Sequence, residues 1–311
     1  MLVRRGLTCV VALASIALAA PPAMATAGGT LWTATYNGPT NGPDTPVAMA
    51  IDPNGRAYVA GTTGNDETAD IVTIAYDIYT GAKIWARRYD GPAHGADLGV
   101  AIAYNQSSGG VVVTGMSESV AGTGRIDAVT ISYQPDGTRA LMRRASSSGT
   151  DAPSGLAVSG GYTYLLLHGT HGRLVAYDFA GDRIWAHRLT DQTLLGLVGL
   201  RMIGGYLMAT GTVSLPAGSA ISTTAFTQFG VPVWTKTFGG PAHNAVASDA
   251  EVGGGTVLYV TVRTPMARRG RSRPSRTNRT TGSGSGAARS PRRRRRTSTR
   301  SSASPCPSTA R

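Results

Sequence analysis

An all-β fold of repeated four-stranded sheets is predicted by three observations. The first is a strand-like motif with a large apolar side chain at its first and fifth positions. It reads WTATYNGP from Trp32, WARRYDGP from Trp85 and WTKTFGGP from Trp234, with a shorter copy, WAHRL, from Trp185. Alternation of this kind buries one face of a strand. The Gly-Pro exit ends it, because proline has no N–H to give a ladder. The second observation is a strand ending in a small residue, then glycine, then Thr or Met: Gly61-Thr62, Gly115-Met116, Gly169-Thr170 and Gly211-Thr212. The third is spacing. The tryptophans lie 53, 100 and 49 residues apart, and the double gap implies a degenerate copy near Leu141 in GTRALMRRAS. A unit of roughly 40–55 residues carrying about four strands is the signature of a propeller blade.

Residues 28–41 are expected to supply one lone strand, the Trp32 copy, which in a propeller completes the last blade. The first blade, 46–92, begins with Val47–Ile51. A turn at Asn54-Gly55 leads to Ala57–Ala60, then Asp70–Tyr76 and Lys83–Trp85. Asn-Gly and Asp-Gly pairs are strong hairpin signals because glycine accepts the positive φ that such turns require. The second blade, 97–145, repeats this with Val100–Ile102, Gly110–Gly115 and Asp127–Tyr133, and Asp136-Gly137 supplies its turn. The third, 153–190, and the fourth, 195–240, follow the same plan. A fifth starts at Ala245 with Ala247–Val252 and Val257–Val262 and then stops, giving about four and a half blades within 28–265. The four tryptophans Trp32, Trp85, Trp185 and Trp234 are expected to pack between neighbouring blades.

The flanks differ from this core. Residues 1–27 combine Arg4-Arg5, an apolar run and small residues around Ala25 and Ala27, the pattern of a secretory signal peptide. The expectation is a secreted product, extracellular or on the cell surface, without a transmembrane anchor. Cleavage would leave Cys306 alone, so no internal disulfide is expected and burial must stabilise the fold. Residues 266–311 are Arg/Ser/Pro-rich and lack large apolar side chains, so this tail is expected to be disordered. It falls where two further strands are due, and its composition fits either a frameshifted GC-rich reading or a genuine basic tail. The net charge of +13 belongs to it. Without the 14 arginines from Arg268 onward, 16 basic side chains face 17 acidic ones.

The run DIVTIAY from Asp70 to Tyr76, followed by Thr80-Gly81, Trp85 and Tyr89-Asp-Gly91-Pro92, resembles the bacterial seven-bladed propeller repeats called SBBP. The pieces Tyr76-Asp77…Gly81…Trp85 and Tyr177-Asp178…Gly181…Trp185 are similar to pyrroloquinoline-quinone (PQQ)-type propeller repeats. The first resemblance implies a secreted or surface module. The second implies a quinoprotein oxidoreductase, but the chain departs from it in having no adjacent cysteine pair and no recognisable acidic calcium site. No catalytic residue is carried over.

Few residues invite chemistry. His168 and His171 form a close pair without a third ligand nearby. His94 and His243 recur in Gly-Pro-Ala-His and are expected to shape a loop. Asp66, Glu67 and Asp70 lack the alternating spacing of a calcium loop. Asp70 and Asp127 open equivalent strands, which suggests turn chemistry. Arg292–Arg296 could attract anions by charge alone, with no specific nucleic-acid recognition. Asn105 and Asn278 fit the glycosylation triplet. The resulting expectation is a non-enzymatic binding or scaffold module for a protein or glycan ligand, with no catalytic or metal residues, no cofactor, and cofactor-binding residues left unassigned. A quinone-dependent oxidoreductase, or a truncated fragment of one, is the alternative.

Overall fold

The computed structural model describes residues 29–263, apart from 66, 121, 146–149, 170–171, 190–193, 216–217, 240–243 and 254–256. The chain divides into two units, 1–266 and 267–311, and everything described here lies in the first. The signal-peptide and tail expectations therefore fall outside the described residues. So do those on Cys306, His171, His243, Asp66, Asn278 and Arg292–Arg296.

Eighteen strands and no helix make up the described residues. The first sheet contains β1 (Asp44–Ile51), β2 (Arg56–Thr63), β3 (Asp70–Asp77) and β4 (Lys83–Tyr89). The second has β5 (Asp97–Asn105), β6 (Gly110–Glu118), β7 (Ile126–Tyr133) and β8 (Arg139–Ala145). The third has β9 (Ala152–Ser159), β10 (Tyr162–His168), β11 (Arg173–Tyr177) and β12 (Arg183–Arg188). The fourth has β13 (Leu194–Ile203), β14 (Tyr206–Leu215), β15 (Gly218–Thr227) and β16 (Pro232–Phe238). Two strands, β17 (Val246–Gly253) and β18 (Val257–Arg263), form the last.

Every sheet is an antiparallel meander in sequence order. Each first strand carries a bulge near its start, as between Pro46 and Ala48 and between Gly99 and Ala101. The first strands of successive sheets lie against one another, β1 on β5, β5 on β9, β9 on β13 and β13 on β17. That is the inner lining of a propeller, with the later strands of each blade stepping outward.

The blades are glued face to face. Between the first two, Tyr58, Ala60, Ile71, Ala75, Trp85 and Tyr89 meet Val111, Val113, Val129, Ile131 and Tyr133 in one buried cluster. Removing each large apolar side chain from water contributes about 1.5–3 kcal/mol. Alternation along β2 sends Tyr58 and Ala60 to this joint and Val59 to the opposite face.

One expected element differs. Residues 29–43 carry Trp32 but form no strand. A strand is defined by a hydrogen-bonded neighbour, and no described strand pairs with this segment. The degenerate copy near Leu141 is real: β8 holds Leu141 where β4 holds Trp85.

Candidate functional site

The tryptophan motif and the turns it meets form a repeated lock. Gly137, between β7 and β8, has φ +83°, and the place its Cβ would occupy is 2.7 Å from the Trp85 ring. Gly81 (φ +72°) meets Trp32 in the same way, and Gly230 (φ +80°) meets Trp185. Gly181 (φ +78°) meets Leu141, which does the tryptophan's work in the second blade. Only glycine accepts both the left-handed backbone and the ring's close approach. The indole N–H then donates to a carbonyl of the same turn: Trp32 to Ile78 at 2.7 Å, Trp85 to Pro135 at 2.9 Å and Trp185 to Gln228 at 3.1 Å. The Trp85, Leu141 and Trp185 locks each span two blades.

A second repeated feature holds the inner strands. The N–H of Asp97 donates to Ala69 O at 2.6 Å, that of Asp151 to Ile126 O at 2.9 Å and that of Ala245 to Ser219 O at 3.1 Å. The Gly-Thr marker belongs to this seam. The hydroxyl of Thr62 accepts the Gly99 N–H at 3.1 Å, and that of Thr212 accepts the Ala247 N–H at 3.0 Å. A Cβ on Gly99 would meet the Gly61 carbonyl at 2.7 Å, so glycine lets the strands close up.

Carboxylates collect at these joints. Asp97 is buried and accepts the N–H of Gly91, tying the Gly-Pro exit to the next blade. Asp44 accepts the Gly38 N–H at 3.0 Å in the equivalent place. Asp70 pairs with Arg88 at 2.8 Å, and Asp127 with Arg144 at 3.4 Å. Asp151 pairs with Arg173. Arg144 also donates to the Tyr89 hydroxyl and to Ser117 Oγ, both at 2.8 Å, so it spans the joint.

One acidic group stands out. Asp70, Asp90 and Asp97 each bring a carboxylate oxygen within 4.8 Å of the others. Burial pushes the Asp70 carboxyl up, against the pull of Arg88. Burial also raises Asp97, opposed by Ser117, the Gly91 N–H and Arg144. These are the residues that could hold a cation. Here the Arg88 guanidinium already supplies the positive charge at Asp70, and the exposed Asp90 takes the His94 ring at 3.0 Å. Arg88 thus neutralises one of the three carboxylates.

The positions singled out in the sequence resolve as follows. Asp70 and Asp127 do open equivalent strands, but they are buried ion-pair partners of Arg88 and Arg144, which corrects the turn-chemistry expectation. Turn chemistry belongs instead to Asp77 and Asp136, which accept the N–H groups of Thr80 and Thr138 at 2.8 Å. Those bonds hold both carboxyls below the usual range. His94 has φ +49° and shapes its loop. His168 is exposed at the end of β10. Sequence reading missed Asp97, Asp151 and Arg144. The available signal was an aspartate six residues after Gly38 and again after Gly91.

At the N-terminal end one joint has a single wall. A groove of about 340 Å³ lies between the Trp32 segment and the first blade, lined by Trp32, Tyr36, Met49, Val59, Val72, Ile74 and Tyr76 among others. Trp32 stacks on Tyr76 at 6.3 Å, as Trp85 packs on Tyr133 at 5.7 Å. The model of the SBBP beta-propeller repeat family matches residues 34–67, which begin two residues after Trp32 and include the rest of that segment with β1 and β2. This stretch matches an SBBP β-propeller repeat.

Solved structures similar to the propeller include the β-propeller domain of the trilobed protease from Pyrococcus furiosus. It has 10% identity and a TM-score of 0.46, over 71% of this chain and 62% of that one. A protein of unknown function from Bacteroides caccae has 10% identity and a TM-score of 0.41, over 66% and 65%. Puromycin hydrolase has 17% identity and a TM-score of 0.47, over 70% and 36%. The chain thus spans less than two thirds of each of them. No curated protein matches it. The propeller rests on its own sheets and on the repeat match. No described helix is long and apolar enough to cross a membrane.

Proposed function

We propose that this chain is an exported β-propeller module with a binding or scaffold role toward a protein or glycan. What supports a non-catalytic reading is the use already made of the buried charged groups. Asp70, Asp127 and Asp151 each hold an arginine of their own blade, Asp97 holds the Gly91 N–H of the preceding exit, and Arg144 reaches Tyr89 of the preceding blade, so these groups serve to fasten strands and blades. A general acid or base needs a proton-transfer position facing substrate, whereas these groups face neighbouring strands. Export is supported by the signal-like residues 1–27.

The test is to add pyrroloquinoline quinone with calcium to the purified exported protein and follow the quinone spectrum and dye reduction. The expected result is no spectral shift and no reduction. Quinone-dependent dye reduction would overturn the reading in favour of an oxidoreductase. Recovery of the product in the cytoplasm with Met1 intact would overturn export.

A further inference from the structure

The two ends of the blade series carry complementary halves of one joint, and we infer that they join one copy of this chain to the next, head to tail. In a complete joint a tryptophan sits between an aromatic ring of its own blade and one of the following blade. Trp85 lies 5.8 Å from Tyr58 and 5.7 Å from Tyr133. Trp185 lies 6.1 Å from Tyr164 of its own blade and packs in the cluster that contains Phe226 of the next.

Register identifies the own-blade position. It is the residue of the second strand two pairs past the bulge: Tyr58 opposite Ala50, Tyr164 opposite Ala157 and Val112 opposite Ala103. The position is large where the anchor is tryptophan, as Tyr58, Tyr164 and Met208 (opposite Arg201, beside Trp234), and smaller where it is Leu141, as Val112.

In the last sheet this position is Tyr259, opposite Glu251. It is 63% exposed, a tyrosine without its tryptophan. Trp32 is the converse case, stacked on Tyr76 of the following blade and with no own-blade ring against it among the described residues. Beside it Met49 is 61% and Ile51 55% exposed, on an inner strand whose counterpart β5 is covered by the first blade. The groove at Trp32 is therefore the place that a Tyr58 equivalent fills at the complete joint, and Tyr259 of a second copy is that equivalent.

The contact uses different surfaces on the two copies, so it is heterologous and propagates until a ring closes. It continues a joint the chain already makes between its own blades, and it stands whether or not the module turns over a substrate.

Two charge substitutions at exposed positions test it without disturbing the core, Met49→Lys on one face and Tyr259→Lys on the other. Sedimentation of the full chain is expected to show concentration-dependent association. Each variant alone is expected to be monomeric, because every contact needs both faces. An equimolar mixture of the two variants is expected to form a species of twice the single-chain mass and nothing larger, since it retains one intact pair of faces. A monomeric wild type would overturn the inference, whether its ends stay open or close on each other. Association that survives in either single variant, or a mixture that stays monomeric, would overturn it as well.

Discussion

The joint between the first two blades and the groove beneath Trp32 use the same side-chain positions. One has two walls and the other has one. Val113, Val129, Ile131 and Tyr133 find Tyr58, Ala60 and Trp85 across the joint, and Trp85 is left 6% exposed. Among the described residues their counterparts Val59, Val72, Ile74 and Tyr76 find Trp32 and Tyr36 across from them, and a groove remains. The contrast separates what an anchor gains from its lock to the next blade, present in both, from what it gains from the inner strands of its own blade, present only at Trp85.

The largest effect should come from the anchors themselves. Trp85→Ala is expected to cost about 4 kcal/mol, as for other buried tryptophans. Trp32→Ala should cost roughly half of that or less, because part of its surface already meets water. Urea unfolding of the two variants checks this, and equal losses would erase the distinction drawn between the two sites.

Next come the arginines. Arg144→Met should cost about 3 kcal/mol, since it strands the buried Asp127 carboxylate and unlinks Tyr89 and Ser117. Arg88→Met should cost only about 1 kcal/mol, because the Arg88 side chain is 42% exposed and water replaces much of its field. Comparing the two unfolding midpoints ranks them.

The turn glycines fall below Arg144. Gly137→Ala forces a left-handed backbone on a residue with a Cβ and pushes it into the Trp85 ring, a loss of about 2 kcal/mol. Gly81→Ala bears the same backbone strain, but Trp32 can yield toward the open groove, so about 1 kcal/mol is expected. The difference between the two, read by thermal or urea unfolding, reports how tightly each ring is held.

The subtlest prediction concerns pH. Burial raises the Asp97 carboxyl, so the folded state holds its proton more tightly than the unfolded chain does. Stability from this group is therefore greatest when it is protonated and declines as pH rises from about 4, the ordinary aspartate value, through the raised one. Asp97→Asn removes that decline while keeping an oxygen for the Gly91 N–H. The variant should gain on the wild type between acid and neutral pH. A difference that stays flat from pH 4 to 7 would show that ionisation of Asp97 does not matter to the joint.

Much of the fold was legible because a propeller blade is written locally. Period-2 alternation, glycine turns and a recurring tryptophan specify strand, hairpin and repeat within a few dozen residues, and even the degenerate anchor at Leu141 could be placed by spacing. The Trp32 segment shows where that reading ends. Its pattern is that of a strand, yet strand character requires a partner, and a partner is a property of the assembled sheet. The roles of Asp70, Asp97 and Arg144 were likewise hidden: Asp70 pairs across its own sheet with Arg88, Arg144 reaches both Asp127 in its own sheet and Tyr89 across the joint, and Asp97 holds the preceding blade's exit loop. By itself the sequence determined the repeat unit, its strand order and the residues that face a neighbour. Only the tertiary structure decided which faces are covered, which carboxylates are buried and paired, and which anchor lacks its second wall, because burial and charge pairing arise when distant segments meet.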